Sequence, residues 1–166
     1  MEPIVPILMG SRADLAHAQA IASALAALGL TAELRVASAH KTPSHALEIL
    51  RAYEADPRPK VYITIAGRSN ALGGFVDAQV TAPVIACPPP SDAFGGADVF
   101  SSLRMPSGVA PATVLDPGNA ALLAAKILGQ ALPAIRERVA AAQRAAVERL
   151  MADDAQVQGD AALRSA

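Results

Sequence analysis

A chain of 166 residues that is 52% hydrophobic and only 17% charged has enough apolar side chain for one globular domain with a sizeable core, and is no disordered polymer. Its net charge of −1 and 3% aromatic content exclude a basic field or a base-stacking platform for nucleic acid, so any phosphate recognition must be local. The single cysteine, Cys87, rules out an intrachain disulfide, and no run reaches the roughly 18 uninterrupted apolar residues of a membrane span, so the expectation is an untargeted protein of the reducing cytoplasm, with no membrane or nucleic-acid partner.

Strand and helix signals alternate along the chain. Residues 4–9 form a nearly continuous apolar run, as in a strand buried on both faces, and lead into Gly10, Ser11, Arg12, Ala13 and Asp14. Ala18, Ile21, Ala22, Leu25 and Leu28 then recur at helical spacing as far as Gly29. Residues 32–37 read as a second strand that ends in Ser38, Ala39, His40 and Lys41. Thr42 reads as an N-cap and Pro43 as the first helical residue, opening a helix with Ala46, Ile49, Leu50 and Tyr53 on one face. Beyond a proline turn, residues 61–65 make a third buried strand, and the glycine-rich stretch 66–74 opens another helical segment. Residues 84–87 form a fourth strand, stopped by Pro88, Pro89 and Pro90, and residues 112–115 a fifth. Pro117, Gly118 and Asn119 start a helix that ends at Gly129. Pro133 opens a last helix with Ile135, Val139, Ala142, Ala146 and Leu150 on one face; from Ala152 the periodicity is lost and fraying is expected.

This order calls for a parallel sheet with helices on both faces, because right-handed crossovers leave few other arrangements. The expected fold class is α/β: a three-layer α/β/α sandwich with a flavodoxin-like parallel sheet, one domain over residues 1–166, with its core at 4–129 and a C-terminal helical extension at 133–152. That extension has two places to pack, its own domain or a neighbouring subunit.

In such a sheet the ends of the first three strands share one edge, which brings Ser11, Asp14, His40, Lys41, Gly67, Ser69 and Asn70 around one ligand. The glycine and serine after the first strand enter a helix whose free amides and dipole favour a phosphate, although Ser and Asp at a helix start are also ordinary caps. The stretch is neither a Walker loop nor a complete GxGxxG. Cys87 has no basic neighbour in sequence, and His17 and His45 fall off the apolar faces of their helices and read as solvated. Asp92, Asp98 and Asp116 lie on loops without metal-ligand spacing, so no metal is assigned.

Five ordered motifs carry a resemblance: Met9-Gly10-Ser11 with Asp14; Ser38-Ala39-His40-Lys41-Thr42; Ala66-Gly67-Arg68-Ser69-Asn70-Ala71-Leu72; Cys87-Pro88-Pro89-Pro90-Ser91-Asp92; and Ser101-Ser102-Leu103-Arg104-Met105-Pro106-Ser107-Gly108. Together they resemble the phosphoribosylaminoimidazole carboxylases of purine biosynthesis, over residues 4–129. The chain looks like the branch that adds carbon dioxide directly to 5-aminoimidazole ribonucleotide (AIR). In the N-carboxyaminoimidazole ribonucleotide mutases, Arg usually stands in place of Lys41 and His in place of Ala71. The resemblance implies a catalytic His40 that moves a proton, Ser11 and Lys41 on the ribonucleotide phosphate, Asp14 on the ribose hydroxyls, and Gly67 with Ser69 at the imidazole or carboxylate. Ser38 and Asn70 complete the implied substrate-binding set. Ala13 departs from the Ser often found there, which removes one phosphate hydrogen bond.

The resemblance further implies no cofactor, no ATP and no metal, and a homo-oligomer, an octamer by expectation with a tetramer as the alternative. The mutase is the nearest competing reading. A non-catalytic phosphoribosyl-binding module is the competitor from another class, and it has no need of the titratable His40.

Overall fold

The computed structural model describes residues 1–160. Five strands and six α-helices alternate: β1 (Ile4–Met9), α1 (Leu15–Ala27), β2 (Thr31–Val36), α2 (Pro43–Glu54), β3 (Tyr62–Ile65), α3 (Ala71–Asp77), β4 (Val84–Ala86), α4 (Phe100–Leu103), β5 (Ala112–Thr113), α5 (Pro117–Leu128) and α6 (Pro133–Gly159). A 3-10 turn at Arg12–Asp14 precedes α1, and the stretch Ala93–Val99 before α4 is kinked by left-handed backbone at Phe94, Gly95 and Gly96.

All five strands are parallel, in the order β2-β1-β3-β4-β5, with Ile4 of β1 opposite Thr31 of β2 and Ile7 opposite Ile63 of β3. This is the flavodoxin-like arrangement expected from the alternation of elements. Every residue of β1 is buried, and its pleat divides the core. Val5, Ile7 and Met9 face α1 and α5, packing on Ile21, Leu25, Ala121 and Ala124, whereas Ile4 and Leu8 face Leu50 and Tyr53 of α2 and Val76 of α3. Each fully buried Ile or Leu contributes about 1.5–3 kcal/mol, which is why a near-continuous apolar run becomes the central strand. The strand order reverses between β1 and β3, so their carboxyl ends flank the crevice in which open α/β sheets take ligands.

Some element ends differ from the sequence expectation. The fourth and fifth strands stop at Ala86 and Thr113, short of the expected Cys87 and Leu115. The short β5 lies at the sheet edge and pairs with β4 alone. In α6 the helix continues to Gly159 instead of fraying from Ala152; Met151, Ala152, Ala155 and Gln156 are good helix formers, and neither glycine nor proline intervenes before Gly159. The remainder of that expectation, residues 161–166, lies outside the described residues. Only Ile135 and Val139 of the α6 stripe are buried, against α5 and the α1 side of the core. Ala142, Ala146 and Leu150 are exposed, as is every residue from Ala141 to Asp160. Among the described residues no helix is long and apolar enough to cross a membrane.

Candidate active site

Three loops at the carboxyl edge build the site. After β1, Ser11 has an extended backbone (φ −155°) and its Oγ accepts the Ala13 N–H at 3.1 Å, starting the 3-10 turn that swings the chain into α1. Asp14 occupies the cap position of α1, yet its carboxylate makes no capping bond there. Burial pushes its pKa up from the ordinary 3.8, an effect partly offset by nearby His17 and by a hydrogen bond from the Ser11 backbone.

The loop after β2 is closed on itself. Thr42 Oγ1 accepts the Ser38 N–H at 2.9 Å, the Thr42 N–H returns to the Ser38 carbonyl at 2.9 Å, and Ser38 Oγ accepts the Lys41 N–H at 3.2 Å. Thr42 is thus the N-cap residue of α2 in position, but its hydroxyl turns back to the loop instead of capping the helix. The turn carries His40 and Lys41 at its exposed tip, directly before the open amides of α2. Among the described residues the Lys41 ammonium has no ion-pair partner.

In the loop after β3, Arg68 has a left-handed backbone with φ +59°. Asn70, 2% exposed, caps α3: its Oδ1 accepts the Gly73 N–H at 3.2 Å, and its Nδ2 donates to Ser102 Oγ at 2.8 Å.

A cavity of about 560 Å³ lies between these loops, lined by Ser11, Asp14, Ser38, His40, Lys41, Gly67 and Ser69 together with Gly10, Ala13, Ala39, Ala66, Arg68 and Leu72. Every residue expected at the site therefore reaches it except Asn70, whose amide is consumed by the cap and by Ser102. Asn is equally a pocket residue and a helix cap, and here its side chain serves as the cap. Arg68 was missed because left-handed backbone is ordinarily read from Gly or Asn. A second cavity of about 290 Å³ shares Ala66, Gly67 and Arg68 with the first and continues over Pro88, Pro89, Pro90, Val99 and Leu115. On its polar side Ser91 Oγ donates to Asp98 Oδ2 at 2.8 Å.

His17 is not solvated as its helical position suggested. It is half-buried, with Nε2 3.4 Å from Cys87 Sγ, a contact between α1 and the end of β4 that no local pattern announces. Burial, with Asp116 nearby, pushes the Cys87 thiol up to about 12, so it is an inert packing group. His45 stays exposed beside Glu48. Among the described residues no group of three or more His, Cys, Asp or Glu is placed to hold a metal ion.

The family model described as "AIR carboxylase" matches residues 4–149. The chain is 53% identical to a phosphoribosylaminoimidazole carboxylase of Treponema denticola, over 95% of this chain and 99% of that protein. It is 57% identical to one of Archaeoglobus fulgidus, over 80% and 73% of the two chains. With the bifunctional phosphoribosylaminoimidazole carboxylase/phosphoribosylaminoimidazole succinocarboxamide synthetase of Homo sapiens it shares 47% identity, over 75% of this chain but only 29% of that longer protein. The crystal structure of Treponema denticola PurE superposes with a TM-score of 0.93 at 52% identity, covering 94% of this chain and 99% of that one.

Proposed function

The chain belongs to the AIR carboxylase family, and from that premise we propose that it adds carbon dioxide directly to AIR, giving 4-carboxy-5-aminoimidazole ribonucleotide without ATP. The observation that carries this reading is the convergence of Ser11, Asp14, Lys41 and His40 on one cavity in the β1/β3 crevice.

Ser11 and the Lys41 ammonium hold the phosphate, assisted by the open amide groups at the start of α2. The Asp14 carboxylate, free of capping duty, accepts the ribose hydroxyls. Gly67 lets the ring lie close to the loop backbone, and Ser38 and Ser69 line the same cavity. Anchoring the phosphate fixes the ring's position, so that an encounter with a dilute gas becomes a reaction in place. The amino group pushes electrons into the ring, the ring carbon forms a bond to carbon dioxide, and that carbon becomes tetrahedral. His40 takes its proton, the C–H electron pair restores the aromatic ring, and the imidazole later passes the proton to solvent. Carbon dioxide is already an electrophile and no electron is gained or lost overall, so the step balances without ATP or a redox group. Lys41 and Ala71 support this branch over the mutase, since Ala71 at the start of α3 offers no proton donor to a departing carboxyl group.

Initial rates on AIR plus bicarbonate with carbonic anhydrase, and on fresh N-carboxyaminoimidazole ribonucleotide, test the proposal. The expected result is a rate that rises with dissolved carbon dioxide and shows no preference for the N-carboxylated compound. Faster turnover of that compound, insensitive to carbon dioxide, would move the chain to the mutases; binding without turnover of either would leave a binding module.

We further propose that residues 1–166 work as one domain, in the cytoplasm and without nucleic acid, and that the exposed distal half of α6, with Val147, Leu150 and Met151, packs on another copy in a homo-oligomer, an octamer or a tetramer. Light scattering at micromolar concentration checks the assembly, and a monomer would refute it.

A further inference from the structure

We infer that Ser101 is a positioning residue: its hydroxyl holds the loop between β3 and α3, residues 66–70, in the shape that walls the candidate active site. The need for such a hold starts at Arg68, whose φ of +59° lies where L side chains are strained. A backbone of that kind persists only where its surroundings over-determine it.

Ser101, in the short helix α4, supplies that determination. Its Oγ accepts the Asn70 N–H at 3.0 Å, and its own proton lies within reach of the Asp98 carbonyl at 2.8 Å and the Arg68 carbonyl at 3.3 Å. One hydroxyl therefore touches the backbone on both sides of Ser69, a residue that lines the cavity. Its neighbour Ser102, 2% exposed, accepts Asn70 Nδ2–H at 2.8 Å, and the Ser102 carbonyl accepts Thr113 Oγ1–H at 3.0 Å, fastening α4 to the sheet edge at β5. The loop is thus anchored to β3 at its start and to α4 at its end. Arg68 and Asp98 both line the second cavity, so the same hydroxyl also bridges two of its lining residues. Neither serine lines the main cavity; both act through the loop. This gives the segment beginning at Ser101, one of the five motifs of the sequence, a task that the proposed chemistry leaves unassigned.

Ser101 is exposed, so its replacement by alanine opens no cavity in the core. The test compares Ser101→Ala and Ser101→Thr with the parent chain, first by amide hydrogen exchange of residues 67–73 in the free protein, then by steady-state kinetics on AIR and carbon dioxide. The alanine variant should exchange about tenfold faster in that loop and lose about tenfold in kcat/KM, with its melting temperature nearly unchanged; the threonine variant, which keeps the hydroxyl, should restore both. Unchanged exchange in Ser101→Ala, or faster exchange without a kinetic loss, overturns the inference. The kinetic arm rests on the carboxylase reading, whereas the exchange arm does not: a parent chain inactive on AIR would sink that reading while the hold on the loop is still judged by exchange.

Discussion

Lys41→Ala separates a binding residue from a structural or catalytic one. The Lys41 ammonium touches no acid among the described residues, and what ties the residue to its turn is its backbone N–H, held by Ser38 Oγ at 3.2 Å, which alanine retains. Stability should accordingly stay within about 0.5 kcal/mol of the parent, the usual range for an exposed substitution that breaks no contact. In the complex the same ammonium meets a phosphate dianion, and a hydrogen bond to a charged group is worth about 1.5–3 kcal/mol, which is about 10- to 150-fold in affinity. The contact exists in ground and transition states alike, so the loss should fall on KM and on ribose 5-phosphate affinity, with kcat almost unmoved. Because the site is open to solvent, the difference between parent and variant should also shrink as ionic strength rises. Calorimetric titration with ribose 5-phosphate at low and high salt, beside steady-state kinetics and thermal melts, measures each of these. A fall in kcat at constant KM, or a melt lowered by several degrees, would refute the assignment of Lys41 to the phosphate.

His40→Asn should reduce kcat by about 100-fold or more, the scale of lost general acid–base catalysis, while ligand affinity is little changed; near-parental turnover would exclude His40 as the proton carrier. Burial holds the Asp14 carboxyl above its ordinary 3.8 in the folded protein, so ionising it costs stability as pH rises from there through the folded value. Asp14→Asn should therefore melt higher than the parent at neutral pH, lose that advantage in acid below 3.8 where the parent carboxyl is protonated too, and bind AIR more weakly; a lower melt at neutral pH would contradict the burial argument. Asn70→Ala removes a helix cap and a 2.8 Å bond to the buried Ser102 hydroxyl, and should cost about 2–4 kcal/mol in urea denaturation. A loss below about 1 kcal/mol with a large rise in KM would return Asn70 to the ligand.

Much of the architecture was legible in the chain itself. The apolar run at residues 4–9, the helical spacing of Ala18, Ile21 and Leu25, and the proline and glycine punctuation before and after α5 are local signals, and local signals suffice where burial on both faces of a strand demands continuous hydrophobicity. The alternation of strand and helix then limits the sheet to parallel, and a parallel sheet brings the loops after β1, β2 and β3 to one edge, which is why Ser11, Asp14, Ser38, His40, Lys41, Gly67 and Ser69 line one cavity.

Only the tertiary structure decided how the polar groups at that edge are spent. Thr42, Ser11, Asp14 and Asn70 all stand at helix starts, where a hydroxyl, carboxylate or amide can cap or can face a ligand. The choice depends on partners far along the chain for Asn70, which Ser102 claims, and on the closure of its own loop for Thr42. His17 reached Cys87 for the same reason: the meeting of α1 with the end of β4 is set by sheet order, which helical periodicity does not encode. The left-handed Arg68 was likewise invisible, because no preference of arginine calls for it and the Ser101 hydroxyl beside its carbonyl comes from another segment. Helical propensity carried α6 through to Gly159 where apolar periodicity had ceased, since alanine and other good helix formers favour the helix without help from the core of their own domain.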